Sequence, residues 1–225
     1  MLIPTDWTFK NAEVAAGFDQ HVREQLPWYD LITGLVTHIV RHYLPENGVM
    51  YDIGASTGNI GRGCGEVIAS RKASFIPIDS SEEMQSVYSG PGKLVIADAT
   101  EFDFGQFDVA VLFLCLMFIP VPKRMALIAK LKSQLLNGGA IIIIDKLEPH
   151  QGYLGQVLHR LTIAGKVATG CKAQDIVAKE LSLSGVQRPV TMAQIGNAKE
   201  VFRFGEFAGW VLENEVTHDS ASVRQ

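Results

Sequence analysis

The run Val49–Met50–Tyr51–Asp52–Ile53–Gly54–Ala55–Ser56–Thr57–Gly58–Asn59–Ile60 constrains this chain more than any other stretch. It reads as a buried strand that ends in a carboxylate and opens into a glycine turn leading to a helix. A Cβ at Gly54 or Gly58 would block close approach of a ligand or demand an unfavourable backbone angle. Turns of this kind sit at the carboxyl edge of a parallel sheet, where open α/β folds hold nucleoside cofactors.

Strand and helix signals alternate around that run. Residues 5–20 read as a loop and a short helix. Pro27 is placed to open a second helix, in which Leu31, Leu35, Ile39 and Tyr43 recur near helical spacing. Strand Gly48–Ile53 precedes a helix over Asn59–Ser70, although Gly61, Gly63 and Gly65 lower its propensity. Ala73–Ile78, Lys93–Ile96, Phe107–Leu114 and Ala140–Ile144 follow as strands, the last rich in β-branched residues as a strand covered on both faces requires. A short helix begins near Ser81, with Glu82 and Glu83 in its first turn. Pro122–Leu135 reads as an amphipathic helix stopped by Asn137–Gly138–Gly139.

Residues 150–185 are mostly helical, with Leu154, Val157, Leu158 and Leu161 forming one apolar stripe. Gln187–Met192 and Lys199–Glu213 read as two further strands joined by a turn at Ile195–Gly196–Asn197, one of them antiparallel to the rest. The expected architecture is α/β and Rossmann-like: a mostly parallel seven-stranded sheet with helices on both faces and a C-terminal β-hairpin.

Composition narrows the functional classes. The chain has 225 residues, 47% hydrophobic and 20% charged, which suits one globular domain. Its formal charge of −4 does not favour a duplex nucleic-acid binder, which needs a basic face, although net charge alone does not exclude a local patch. Cys64, Cys115 and Cys171 are an odd, scattered set without a CxxC pair, so they read as reduced thiols in a cytoplasmic protein. The N-terminus lacks an apolar signal segment, and Val109–Val121 and Ala140–Ile144 are too short to span a membrane.

The glycine turn excludes several chemistries. Its GxSxG spacing is not a nucleophile elbow, because the strand is the first of the sheet and Asp52 precedes the glycines. The Walker lysine is absent, and Gly61–Arg62–Gly63–Cys64–Gly65 comes too late for a dinucleotide fingerprint. Asp79, directly after the second strand, is placed to accept both ribose hydroxyls of either a nicotinamide or a methyl-donor nucleoside. Asp98, after the third, is placed for an adenine amino group, with the Ala99 N–H facing a ring nitrogen. Ser80 and Met84 are expected to line the ribose and adenine pocket. Acidic residues at successive strand ends suit a cofactor without pyrophosphate. Asp52 is well placed for an ammonium group, which favours S-adenosylmethionine over NAD.

With these motifs in place, YDIGASTG, PIDSSEEM and IADAT resemble successive motifs of class I S-adenosylmethionine-dependent methyltransferases. The run LFLCLMFI and the NGG before IIIIDK agree. A closer likeness is to the carboxy-S-adenosylmethionine synthases, carried by Asp6–Trp7–Thr8–Phe9, Pro27–Trp28–Tyr29, Leu116–Met117–Phe118–Ile119, Asp145–Lys146 and Val201–Phe202–Arg203–Phe204–Gly205. Members of that family use prephenate to make a carboxylated donor that feeds modification of a tRNA wobble uridine. They hold substrate carboxylates partly with an arginine in the last helix before the hairpin. The comparable stretch here, Gln174–Val186, has no arginine, and Glu180 stands near the expected place.

The resemblance implies a methyltransferase domain over 48–213, preceded by a helical lid or cap over 1–47 and followed by a flexible tail over 214–225. It also implies a homodimer and a cofactor site of Asp52, Gly54, Ala55, Ser56, Gly58, Asp79, Ser80, Met84, Asp98, Ala99 and Leu114. The expected reaction is methyl transfer to a small-molecule acceptor. The alternatives are a carboxy-S-adenosylmethionine synthase and a non-catalytic S-adenosylmethionine- or S-adenosylhomocysteine-binding partner protein.

The transferred methyl is expected above the fourth strand, toward Leu114–Phe118 and Lys146. Lys146 is a candidate anion contact and His150 a candidate base. Trp7, Phe9, Trp28 and Tyr29 are candidates for a wall of the acceptor pocket, and Arg23 and Arg41 for carboxylate contacts. His38 and His42 share a helix face but lack a third ligand, so no metal is expected. Leu–Cys–Leu–Met–Phe after the fourth strand departs from the Pro-rich motif of amino-methylating DNA enzymes, and Cys115 lacks the preceding proline of a cytosine nucleophile.

Overall fold

Ile141–Ile144 are all fully buried, because alternate side chains of a strand point to opposite faces and both faces here are covered. They belong to β5 (Leu135–Lys146) in a computed structural model that describes residues 3–214. The other strands are β1 (Val49–Ile53), β2 (Ser74–Asp79), β3 (Val95–Ile96), β4 (Phe107–Phe113), β6 (Lys199–Phe204) and β7 (Phe207–Glu213). They form a seven-stranded sheet of order β3-β2-β1-β4-β5-β7-β6. The first five strands pair in parallel, and β7 runs antiparallel to both β5 and β6. The expected Rossmann-like sheet with its C-terminal hairpin is therefore the observed one.

Helices α1 (Ala12–Gln25), α2 (Tyr29–Tyr43) and α3 (Asn59–Ser70) lie toward one face, where Val36, Val40 and Ile60 join Val109, Val111, Ile142 and Ile144 in one core. On the other face, Leu127, Ile128 and Leu131 of α5 (Val121–Gln134) pack with Ala110, Leu112, Ile141, Ile143 and Trp210. The remaining helices are α4 (Met84–Val87), α6 (Gly152–Ala168), α7 (Ala173–Ser182) and α8 (Met192–Ile195), with a 3₁₀ turn at Leu116–Phe118. Among the described residues, no helix is long and apolar enough to cross a membrane.

Helix α3 forms over the expected residues despite its glycines, because close packing decides. A Cβ at Gly63 would lie 2.8 Å from Thr37 Oγ1 of α2, and one at Gly61 2.9 Å from the Phe75 ring. The N-terminal helices are integrated into the core: the Trp28 ring packs against Phe207 at 4.9 Å and Tyr29 edge-on against Phe113 at 5.3 Å.

Several local expectations are corrected. In α2 the run with helical spacing divides: Leu35, Ile39 and Tyr43 pack against the core beside the fully buried Val36 and Val40, while Leu31 faces outward, 74% exposed. The stripe expected in α6 also faces outward, with Leu154, Val157 and Leu161 all exposed, while Gly155, Thr162 and Lys166 face inward. Glu82 and Glu83 precede α4, which is only a short helix.

The chain leaves α5 at Gln134, and Leu135 already pairs with Phe107. Asn137–Gly138–Gly139 then forms an irregularity inside β5 rather than a helix stop. Asn214, the first residue of the expected tail, closes it by exchanging backbone bonds with Gly138 and Gly139; the rest of that segment, 215–225, lies outside the described residues. Gln187–Met192 is not a strand: Val190 alone bridges to Leu147, and α8 starts at Met192. The hairpin turn falls at Gly205–Glu206, not at Ile195–Gly196–Asn197, which lies at and just beyond the end of α8.

Candidate active site

The carboxyl ends of β1, β2 and β4 open into a cavity of about 230 Å³. Of the expected cofactor residues, Asp52, Gly54, Ala55, Ser56, Asp79, Ser80, Asp98, Ala99 and Leu114 line it. Gly54 has φ +77°, and a Cβ there would lie 2.6 Å from Cys115 Sγ, so the bend after β1 can approach the strand-four turn only without a side chain. Leu114 also takes a positive φ, +56°, an uncommon conformation for a leucine. Its N–H is held by the Ile144 carbonyl at 2.7 Å.

Asp52 is the most constrained of the carboxylates. It is fully buried at the end of β1, and its Oδ2 has no hydrogen-bond partner in the protein. Burial, with the negative charge of Asp79 added, pushes it up to about 7, while the Gly61 N–H works the other way. A buried carboxylate oxygen left without a partner is costly unless a cation or donor arrives to meet it. The α-ammonium of an amino-acid ligand is such a group, so the residues present fit the amino-acid arm of S-adenosylmethionine.

The Asp79 oxygens accept from Ser56 N–H and Ser81 N–H, each at 2.9 Å. Each oxygen keeps acceptor capacity for a ribose hydroxyl. Burial raises Asp79 above the usual carboxylate range, against those backbone bonds. Asp98 is more open. Although desolvation opposes it, the Thr100 N–H and hydroxyl, together with the Lys123 charge, hold Asp98 below its usual value.

Gly58, Met84 and His150 do not line the cavity. Gly58 is required for another reason: it has φ +88°, and a Cβ would lie 2.5 Å from Gly90 N, in the loop after α4. Met84 is fully buried among Ala15, Ala55 and Leu94, where its sulfur accepts from Ser56 Oγ at 3.6 Å. His150 is exposed just ahead of α6, and its backbone carbonyl occupies the space that a Cβ at Gly155 would need. Lys146 does line the cavity, but its Nζ stands 3.6 Å from Glu206 Oε2 and 3.3 Å from Gln187 Oε1. Cys115 is half-buried beside Gly54, and desolvation raises its thiol well above the usual value, so it stays protonated.

The opposite end of the cavity is built by elements whose roles were not legible. Trp7, Phe9 and Tyr29 line it as expected, whereas Trp28 lies in the core, Arg23 pairs with Asp19 and Asp30, and Arg41 is exposed. Helix α1 contributes Phe18, His21, Val22 and Gln25; α6 contributes Thr162 and Lys166; α7 contributes Lys179 and Glu180. Phe9 stacks edge-on against Phe118 at 4.9 Å and Phe18 at 5.6 Å, which joins the N-terminal segment to the strand-four turn. That segment is pinned from both sides: Trp7 N–H donates to the Ser182 carbonyl, and Ser81 Oγ donates to the Phe9 carbonyl.

Charge at this end is largely internally balanced. Lys166 and Glu180 pair at 2.7 Å. Burial pushes Lys179 down to about 5, with Lys166 repelling its charged form. Among the described residues, no arginine lines the cavity. Glu180, which sequence places near the arginine of the carboxy-S-adenosylmethionine synthases, is the partner of Lys166.

No family model matches the chain. A carboxy-S-adenosyl-L-methionine synthase of Staphylococcus epidermidis is 29% identical over 216 residues, covering 94% of each chain. Among solved structures, the plantazolicin methyltransferase BpumL in complex with SAH aligns with a TM-score of 0.61 at 12% identity, over 90% of each chain. Human N-acetylserotonin methyltransferase in complex with SAM aligns with a TM-score of 0.60 at 11% identity, over 92% of this chain and 58% of that longer one. The solved structures share this chain's Rossmann-like fold, and the sequence match is to a carboxy-S-adenosyl-L-methionine synthase.

Proposed function

We propose that this chain is an S-adenosylmethionine-dependent methyltransferase acting on a small molecule. The observation that carries this reading is Asp52, a buried carboxylate with one oxygen unpartnered, at the strand end where the amino-acid arm of the donor is expected. When bound, the donor supplies an electrophilic methyl group on a sulfonium.

The chain's residues position and enclose. Gly54 lets the backbone come close beside Asp52. Asp79, already held by Ser56 and Ser81, offers its remaining acceptor sites to the ribose hydroxyls. Asp98 and Ala99 flank the adenine end. Phe9, Phe18 and Phe118 form an apolar wall that excludes water, and holding two reactants aligned in such a site supplies much of the rate enhancement.

A second reading, carboxy-S-adenosylmethionine synthesis, is supported by the 94% coverage of the Staphylococcus epidermidis relative. Charge favours the first. A carboxylated donor calls for an additional cation, yet Lys146 and Lys166 already face carboxylates and Lys179 is held toward its neutral form.

Calorimetry with S-adenosylmethionine, S-adenosylhomocysteine and NAD tests both readings. Binding of the first two but not NAD is expected. Asp79→Ala should weaken it by about tenfold to a hundredfold, the worth of one or two hydrogen bonds to a charged group. An Asp79→Ala protein that is folded and binds as tightly as wild type would overturn the ribose assignment. Incubation with S-adenosylmethionine and prephenate, followed by mass analysis of the retained nucleoside, separates the readings: a carboxylated product selects the second.

A further inference from the structure

Three residues at the acceptor end carry polar atoms that the proposed donor site does not use. His21 Nε2, Gln25 Oε1 and Trp7 Nε1 are buried and have no hydrogen-bond partner in the protein, and all three residues line the cavity. His21 and Gln25 are one helical turn apart on the inward face of α1, with Phe18 and Val22 beside them. The Trp7 ring stacks on His21 with centroids 5.6 Å apart and planes 26° from parallel. The Gln25 amide nitrogen is committed to Cys171 Sγ at 3.3 Å, which leaves its oxygen as the free group.

We propose that His21 and Gln25, together with the Trp7 indole N–H, form the subsite for a neutral, hydroxyl-bearing acceptor. The proposal rests on the methyltransferase reading and names the substrate class of the same site.

The arrangement offers two acceptors and one donor. A hydroxyl group both donates and accepts, so it can give its proton to His21 Nε2 or Gln25 Oε1 and receive the Trp7 N–H. Burial, followed by the charges of Lys179 and Lys166, pushes His21 down to about 4, so its imidazole stays uncharged and able to accept. The facing groups of α6 and α7 act against charged ligands. An ammonium would be desolvated here and would meet the Lys166 charge, while the Glu180 carboxylate that could offset it is already paired. A carboxylate would bring a second negative charge to Lys166, already paired with Glu180, and would face the acceptor oxygen of Gln25.

The test uses full-length protein saturated with S-adenosylhomocysteine, whose binding is measured first. Phenol, benzoate and benzylamine, alike in size and different in charge, are then titrated by calorimetry. A wild-type protein that does not bind S-adenosylhomocysteine overturns the methyltransferase reading before any probe is added. Given that binding, phenol should bind more tightly than benzoate or benzylamine, and should shift the His21 Nε2 resonance in ¹⁵N spectra. His21→Phe, which keeps the stacking on Trp7, and Gln25→Leu should each weaken phenol about tenfold while S-adenosylhomocysteine affinity holds. The subsite is overturned if benzoate or benzylamine outbinds phenol, if phenol does not bind, or if both variants keep phenol affinity. Should His21→Phe not fold, the Gln25→Leu result and the probe order in wild type decide alone.

Discussion

Asp52 concentrates the physics of the proposed donor site in one side chain. Burial raises it to about 7, so in the free protein it is half-protonated near neutrality. A cationic ammonium group selects its ionised form, and at lower pH binding must first expel a proton. S-adenosylmethionine affinity should therefore fall by about tenfold from pH 8 to pH 6, and Asp52→Asn should be weaker and flat across that range. Calorimetry at several pH values, in buffers of different ionisation enthalpy, reads both the affinity and the proton released. A wild-type affinity independent of pH would remove Asp52 from the ammonium contact.

Asp52, Gly54 and Asp79 line the cavity where a strand runs out, and that position was legible in the adjacent residues. Met84 and Gly58 sit on the same local motifs, but one is turned into the core and the other fits against Gly90. Only the packed chain distinguishes such cases. His21 carried one signal in retrospect, its place in the Phe18–His21–Val22–Gln25 face of α1, yet nothing local says that this face meets a cavity.

Elements are joined by contacts that periodicity cannot reveal. Arg124 lies on α5, where a helical pattern assigns arginine to solvent, and it is fully buried. Its Nε donates to the Ile119 carbonyl, one terminal nitrogen to Met117 and Arg188, and the other to Pro189 and Gln194. The guanidinium thereby clasps the turn after β4 to the segment before α8, far away in sequence, and both Met117 and Ile119 line the cavity. Desolvation lowers Arg124 somewhat, against the attraction of Asp145. Arg124→Met fills similar volume but leaves several buried carbonyls unsatisfied, so unfolding in urea should show a loss of at least ~3 kcal/mol. Donor affinity should drop with it as the strand-four turn loosens. A loss below about 1 kcal/mol would mean that the clasp relaxes onto water at little cost. The outward stripe of α6 makes the converse point: Leu154, Val157 and Leu161 have helical spacing, and the sheet is simply not on that side.

Across the whole molecule, the cavity and its rim hold several groups away from their charged forms, and stability reflects it. Asp52 and Asp145 are both raised to about 7 by burial, so between about pH 4 and 7 the fold keeps protons that the unfolded chain has lost. That difference makes the fold less stable as pH rises through the window. His21, lowered from 6.5 to about 4, and Lys179, lowered from 10.5 to about 5, have the opposite sign. There the unfolded chain holds the extra protons, and stability rises with pH, over about 4 to 6.5 for His21 and from about 5 upward for Lys179. The net profile is thus shallow, and one substitution separates its parts. Asp52→Asn removes one titration with little change of shape. Its stability relative to wild type should climb with pH from about 4 to 7 and level off above, the total climb being at most ~4 kcal/mol. Any fixed cost of burying the new amide moves the whole difference curve without changing its slope. Urea unfolding at pH 4.5, 6 and 7.5 measures that slope. Parallel wild-type and variant profiles would show that Asp52 ionises in the empty fold as readily as in the unfolded chain, and the stored cost that donor binding is expected to relieve would be absent.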